Sequence, residues 1–469
     1  MPALHLGGLL SRAARRESDR PALWAEGSYL TWRQLKGRVQ ERARLLAALG
    51  VGPGDRVAVV MPHRPETVET LWAIWWLGAV AVPLDPRLPQ AEQRRRIEAV
   101  AARCLLTGPA PADAQVLCQG AKAGEPVRQR ARSADPAVII FTSGTTGSAK
   151  GAVLSHGALL ASARQHLALS GVEEPDAWLA SLPLFHVGGL GILVRSAMAA
   201  IPAALPEAFS AEVMADAIRR HRPSHISLVA QTLDRLLRGP EDGFPSLRLA
   251  LVGGGPTPLG LLVEATRRGL PVATTYGLTE TASQVAVLPP GSPPHLTGSA
   301  GWPLSLSQLR VDGDGRIWVR GRTLFSGYWQ DEAASRQVLR DGWLLTGDIG
   351  RLGDDGELWV ESRQDDLIIS GGEKVSPREV EEVMVGCPGV REAAVFGHAD
   401  PTWGQVPWAL VVAEGACDPR AVIAYCQDRL TPYQLPRVVR VVPELPKGAL
   451  GKIRRAELPA LAEAAGAAP

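Results

Sequence analysis

Short apolar runs bounded by glycine or proline alternate along this chain with longer stretches whose apolar residues recur at helical spacing. Residues 57–61 predict a strand, 65–78 an apolar helix and 79–84 the next strand. Residues 138–142, 225–229, 249–252 and 272–275 are further β-rich runs between helical stretches. Such alternation predicts an α/β fold with largely parallel sheets, since parallel strands need a crossover to bring the chain back. The pattern changes after about residue 290. Asp312-Gly313-Asp314-Gly315 separates the runs 309–311 and 317–319, and Asp354-Asp355-Gly356 separates 350–352 and 358–360. Both read as hairpins turned by Asp-Gly chemistry. Beyond residue 363 a smaller α+β stretch follows, helical at 377–384 and 419–430, strand-like at 390–395 and 408–412, with a frayed helix at 458–469. A boundary is expected at 363–366, dividing the chain into a large domain over 1–364 and a small one over 365–469.

Length agrees, because 469 residues exceed what one core usually supports. Charge is balanced, 50 basic against 48 acidic residues for a net +2, which argues against broad nucleic-acid or anionic-membrane binding. The run Arg94, Arg95, Arg96 lies beside Glu92 and Glu98 and reads as a solvated helix face. Five cysteines form no CxxC or Cys/His cluster, so neither a disulfide framework nor a zinc site is expected. The first residues lack the pattern of a signal peptide, and the greasy stretch 71–84 is broken by Gly78 and Pro83 and too short to span a bilayer. A cytoplasmic protein without a membrane span is the expectation.

The densest chemistry lies at Phe141-Thr142-Ser143-Gly144-Thr145-Thr146-Gly147-Ser148-Ala149-Lys150-Gly151, where a strand-like run ends. Hydroxyls, glycines and a terminal lysine suit a loop around polyphosphate: backbone N–H groups and hydroxyls donate, glycine permits close approach and lysine adds charge. A Walker loop is excluded, since Ala149 precedes Lys150 and Gly151 follows it. The bland reading is a Ser/Gly-rich surface loop.

This loop closely resembles the phosphate-binding signature of the adenylate-forming superfamily, which includes acyl-CoA synthetases, stand-alone adenylation domains and firefly-type luciferases. The resemblance continues in order. Tyr276-Gly277-Leu278-Thr279-Glu280 resembles the nucleotide and magnesium motif, Thr346-Gly347-Asp348 the ribose motif, and Ser362-Arg363-Gln364-Asp365-Asp366 the inter-domain hinge. Ser370-Gly371-Gly372-Glu373-Lys374 resembles the loop after the hinge, and Pro446-Lys447-Gly448-Ala449-Leu450-Gly451-Lys452 the catalytic-lysine motif.

The resemblance implies a large adenylation domain of layered α/β sheets with a small β-barrel-like region, and a small mobile α+β lid. It implies ATP, Mg²⁺ and coenzyme A as cosubstrates or cofactors, and a small-molecule carboxylate as acyl donor. Attack of a carboxylate on the α-phosphate brings two anions together, so catalysis must be charge neutralisation and positioning. Lys452 would neutralise that charge; Lys447 does not complete the Gly-Lys pair, and the bland alternative is a solvated lysine. Thr142, Ser143, Gly144, Thr145, Thr146, Gly147 and Lys150 would hold phosphates, and Gly254, Tyr276, Gly277 and Thr279 the nucleotide. Glu280 would hold Mg²⁺, with Thr145 or Thr146 assisting; spacing leaves open which. Asp348 would accept from the ribose hydroxyls with Arg363 assisting, although an isolated Asp after Gly is more often a turn residue. Asp365 would be the hinge between adenylation and thiolation, and Gly371, Gly372 and Lys374 would border the pantetheine tunnel. Homodimers are frequent in the family, and no interface pattern here bears on that.

For the acid, Phe185-His186 resembles an aromatic–histidine pair gating the acyl pocket, which makes His186 a second catalytic and substrate-contacting candidate; a packed core histidine is the alternative. Gly253 and Gly254 leave space for a flat ring, though most such segments are simply turns. Arg195 stands in an apolar context and wants a partner, which a second substrate carboxylate or an internal salt bridge would supply. The stretches 186–195 and 279–284, with Gly277 and Ser283 as further substrate contacts, resemble the o-succinylbenzoate–CoA ligases of menaquinone and phylloquinone synthesis. Lys374 departs from that subgroup, in which asparagine is common. The competing readings are another aryl- or medium-chain acyl-CoA ligase, a stand-alone enzyme loading a carrier protein, a non-catalytic nucleotide-binding homologue and a luciferase-type oxygenase.

Overall fold

The structure is a computed structural model that describes residues 5–466 apart from 26, 109–113, 118–130, 143–148, 174, 240–242, 416 and 449–450. Its backbone divides into two compact units. One comprises Met1–Gly253, Leu259–Leu309 and Val319–Leu344; the other comprises Gly254–Pro258, Arg310–Trp318 and Leu345–Pro469.

The first unit is built on two sheets. A six-stranded sheet runs Ala114–Val116, Cys104–Leu106, Arg56–Val59, Val80–Pro83, Pro136–Thr142, Lys150–Ser155. Its central strands are parallel, and Lys150–Ser155 closes one edge as an antiparallel hairpin with Pro136–Thr142. In the nine-stranded sheet, Val272–Leu278, Leu249–Val252, His225–Leu228, Trp178–Leu179, Ala203–Ala204 and Pro21–Ala25 are parallel neighbours, with Ser283–Leu288 added antiparallel beside Val272–Leu278. Helices supply the crossovers. Pro65–Trp76 carries Pro at its first position and buries Leu71, Trp72, Ala73, Ile74 and Trp75. Proline suits that position because the missing N–H would have no intrahelical partner there. Trp75 Nε1 donates to the Ala137 carbonyl at 2.9 Å, tying this helix to the six-stranded sheet. Thr31 and Gln34 form a reciprocal capping box that starts the helix Trp32–Ala48. One core contains Val57, Ala81 and Val138 from one sheet and Leu23, Trp178 and Leu251 from the other.

In the second unit a sheet runs Glu373–Val375, Ile368–Ser370, Gly404–Ala413, Val390–Asp400, with Val438–Val441 parallel beside Gly404–Ala413. Both faces are covered, and the period-two alternation of a strand decides which residue goes where. Val395, Ala409 and Val411 pack with Val380 and Met384 of the helix Pro377–Val385. Ala394, Phe396, Leu410 and Val412 pack with Leu458 and Ala462 of the helix Leu458–Gly466. The expected Asp-Gly turns are present: Asp312 Oδ1 accepts from the Asp314 and Arg316 amides at 3.0 Å each, and Trp343–Leu352 pairs antiparallel with Leu358–Arg363. Among the described residues no helix is long and apolar enough to cross a membrane.

Candidate functional site

The strand pair around the expected phosphate loop is in place, with Thr142 opposite Lys150 and Thr142 Oγ1 donating to the Lys150 carbonyl at 3.4 Å. Ser143, Gly144, Thr145, Thr146 and Gly147 lie outside the described residues. Lys150 Nζ stands 5.4 Å from the Tyr328 ring centre, and the Tyr328 hydroxyl donates to Glu280 Oε1 at 2.8 Å. Tyr328 therefore brings the ends of two expected motifs together, and no local pattern in the sequence marks it. Tyr328 is seated by a bridge to Ala152, and the Glu280 carbonyl accepts from the Phe325 amide at 2.8 Å. A half-buried carboxylate oriented by one neutral hydroxyl is a hard oxygen donor of the kind Mg²⁺ takes, so Glu280 fits the metal role.

The turn that carries Glu280 is strained. Val272–Leu278 runs into the short helix Thr279–Thr281, and then Ala282 and Ser283 adopt φ of 51° and 101° before the chain returns as Ser283–Leu288. Two successive non-glycine residues at positive φ cost on the order of 1–3 kcal/mol each, and such strain collects at functional sites. The return passes so close that a Cβ on Gly277 would lie 2.0 Å from the Ser283 carbonyl oxygen. Only glycine fits there. At Gly253 an added carbon would meet Thr275 Oγ1 at 2.3 Å, whereas Gly254, φ 84°, begins the segment grouped with the second unit. Tyr276 is buried and Thr279 half-buried on this turn.

The strained turn aims Ser283 at Arg195. That side chain, on the helix Val187–Ala199, is 1 % exposed, and its Nη2 lies 3.5 Å from Ser283 Oγ. Among the described residues Nε and Nη1 have no hydrogen-bond partner, and no carboxylate pairs with the guanidinium. Burial pulls the guanidinium down to about 9, so it is charged at neutral pH. His186 is the residue that precedes the same helix, nine positions before Arg195. His186 packs on Phe185, ring centres 4.6 Å apart, and its Nε2 is buried without a partner among the described residues. Burial holds its pKa down to about 4, against the pull of Asp85, so it enters neutral pH as an uncharged imidazole.

Within the second unit three expected residues meet. Asp348 and Arg363 face each other across the ribbon of Trp343–Leu352 and Leu358–Arg363, and Arg363 Nη1 donates to Asp348 Oδ1 at 2.9 Å. Thr346 Oγ1 accepts from the Asp348 amide at 3.1 Å and donates to the Ile317 carbonyl at 2.9 Å, which fixes the turn. Lys452 keeps an exposed surface, yet partial loss of hydration, followed by the nearby Arg363, lowers its pKa from the ordinary lysine value; Asp348 and Asp366 pull the other way. Lys447 is committed elsewhere, to an ion pair with Glu392. Asp365 is exposed in the turn Gln364–Asp366. Gly371 and Gly372, φ 60° and 90°, turn the hairpin that carries exposed Lys374, and the Gly371 amide donates to the Trp403 carbonyl at 2.9 Å.

Sequence reasoning missed the anchor of the lysine loop. Arg455 donates to Asp366 Oδ2 at 3.1 Å, to Glu381 Oε1 at 2.7 Å and to the Val395 carbonyl at 2.6 Å. Burial pushes the Glu381 carboxyl up, against the attraction of Arg455. Arg455→Ala would leave a largely buried carboxylate unpaired, and since water still reaches the pair the expected destabilisation is about 2 kcal/mol. Urea unfolding followed by a probe in the second unit checks this.

Residues 10–329 match the AMP-binding enzyme family, and residues 379–452 match the AMP-binding enzyme C-terminal domain. The chain is 38 % identical over 463 residues to a 2-succinylbenzoate–CoA ligase of Bacillus cytotoxicus, covering 95 % of this chain and 96 % of the relative. The o-succinylbenzoate CoA synthetase of Bacillus subtilis, solved with its acyl-adenylate intermediate, superimposes with TM-score 0.89 at 34 % identity, covering 96 % of this chain and 97 % of that one. The same enzyme solved with ATP and magnesium ion gives TM-score 0.88 at 34 % identity, covering 96 % and 99 %.

Proposed function

The chain belongs to the AMP-binding enzyme family, and from that premise we propose that it is an AMP-forming acid–CoA ligase acting on 2-succinylbenzoate. This is the substrate after which its relatives are named, and the route is the menaquinone or phylloquinone synthesis that the sequence resemblance implies. One observation carries the choice of acid: Arg195 is a fully buried cation with open donors and, among the described residues, no carboxylate to pair with. An unpaired buried charge is costly, and a second carboxylate on the ligand pairs it bidentately.

In the first half-reaction an oxygen of the aryl carboxylate attacks the α-phosphorus of ATP, and pyrophosphate leaves with the electrons of the broken P–O bond. Lys452 offsets the charge that gathers there, Lys150 contributes to phosphate binding, and Asp348 with Arg363 holds the ribose. Glu280 would hold Mg²⁺, which would supply positive charge to the phosphates. Arg195 and Ser283 receive the second carboxylate, and the missing side chain at Gly277 keeps the strained turn close. His186, uncharged at neutral pH, borders the acyl group without adding a competing cation. In the second half-reaction the coenzyme A thiol, losing its proton, attacks the acyl carbonyl and AMP leaves; Gly371, Gly372 and Lys374 serve this step.

The test follows AMP release with ATP, Mg²⁺ and coenzyme A while 2-succinylbenzoate, benzoate and a medium-chain fatty acid are offered in turn. A kcat/KM for 2-succinylbenzoate at least about a hundredfold above the monocarboxylates is expected, the scale of discrimination that one buried charge pair gives. Equal use of the monocarboxylates overturns the substrate. Turnover only with a pantetheinyl carrier protein in place of coenzyme A overturns the ligase reading.

A further inference from the structure

The Arg195 guanidinium faces an aromatic ring and lies over a helix position that has no side chain. Its guanidinium carbon lies 5.1 Å from the centre of the Trp178 ring. Trp178 is 0 % exposed in a short strand between Ala203–Ala204 and His225–Leu228. The ring is locked: His225 packs tilted against it at 4.8 Å and 32°, His166 leans on it at 5.1 Å and 59°, and Nε1 donates to Ser227 Oγ at 3.4 Å. His166 is pinned in turn by Gln284 Oε1, 2.8 Å from its Nδ1, and the Gln284 carbonyl accepts from Gln165 Nε2 at 2.6 Å. Burial, and then the charge of Arg195, keep His166 neutral, which leaves the cation of the pocket on Arg195. A cation over an electron-rich indole face is attracted most strongly where water is excluded.

One helical turn before Arg195 stands Gly191. A methyl there would lie 3.0 Å from Arg195 Nη2 and 3.5 Å from its guanidinium carbon. The side chain folds back along its own helix over that bare position. Glycine inside a helix is otherwise unfavourable relative to alanine, so its presence needs a local reason, and the guanidinium supplies one.

We propose that Trp178 and Gly191 are positioning residues for the anion subsite: the indole sets the plane of the Arg195 guanidinium, and the bare α-carbon of Gly191 sets its depth. Together they fix where the second carboxylate of the acid must sit. This rests on reading Arg195 as the partner of that carboxylate.

Gly191→Ala is the sharpest test, because helix physics expects this variant to fold at least as well as the parent. A KM for 2-succinylbenzoate raised on the order of tenfold is expected, with kcat and the KM for ATP within about twofold and no fall in Tm. Trp178→Leu should raise the same KM by a similar factor, and Trp178→Phe should recover most of it. A KM for 2-succinylbenzoate unmoved by Gly191→Ala, or one that rises only in step with the KM for ATP, overturns the proposal. Arg195→Ala in the same assay separates the two readings. If Arg195→Ala raises the KM and Gly191→Ala does not, positioning fails alone; if Arg195→Ala leaves it unmoved, the substrate reading fails and positioning with it.

Discussion

Lys452→Ala slows acyl-adenylate formation by on the order of 10²–10³, the loss that follows removal of one positioned charge from a site of developing negative charge. The residue is suited to the task by its surroundings. Partial loss of hydration and Arg363 weaken the hold on its proton, while Asp348 and Asp366 retain it as a cation. A cation whose water shell is thinned gives more of its field to a phosphate. The deficit belongs to the first half-reaction, in which carboxylate and α-phosphate approach each other. Thiol attack on a preformed adenylate asks no such neutralisation, so the variant supplied with acyl-AMP and coenzyme A keeps most of its thioester formation. Pyrophosphate release in single turnover measures the first step, and thioester appearance measures the second. The sign with pH follows from the lowered pKa: the active form is the protonated one, so adenylation falls as pH rises through a value below the ordinary 10.5 of lysine. Lys452→Arg moves that alkaline limb upward. Equal losses in both half-reactions would mean that Lys452 does not act by neutralising the adenylation step.

The sequence exposed the parts of this fold that repeat along the chain, and it concealed those made by contact between distant residues. The strand 249–252 and the helix starts at Pro65, Pro377 and Pro419 agree with their predicted limits, because alternation and N-terminal proline are local signals. The strand expected to end at residue 395 continues to Asp400, since Phe396 extends the apolar run and residues 397–400 keep pairing with the return strand beyond it. The helix expected over 65–78 ends at Trp76, where Leu77 caps it and Gly78 turns at φ 69°. In the site, ordered motifs pointed to Asp348, Arg363 and Lys452 one by one, and the structure adds that they are neighbours. Tyr328 on Glu280, Arg455 on Glu381, and the wall of Trp178, His166 and Gln284 around Arg195 have no periodicity to find. Each joins residues far apart in the chain, and a single sequence carries no mark of such pairs.

Arg195→Met should separate binding from stability in opposite directions. In the free protein the guanidinium is wholly buried, bonded among the described residues only through a 3.5 Å contact to Ser283, and faced by Trp178. Desolvating such a charge costs more than those contacts return. An apolar side chain of similar length removes that cost, so the ligand-free variant is expected to melt higher than the parent. Stability gained at the expense of function is the usual sign of a residue kept for its ligand. Binding moves the other way. The second carboxylate of 2-succinylbenzoate would enter an apolar pocket with no cation, and leaving such a charge unpaired costs about 3–5 kcal/mol, or roughly 10²–10⁴ in KM. Arg195→Lys recovers only part of this, because one ammonium cannot offer the planar fork that meets both carboxylate oxygens. Ligand-induced stabilisation gives the same contrast without turnover: 2-succinylbenzoate raises the Tm of the parent and leaves that of Arg195→Met unchanged. An internal salt bridge predicts the reverse, a lower Tm in the free variant with binding preserved. That pair of results would return Arg195 to the core as a structural residue.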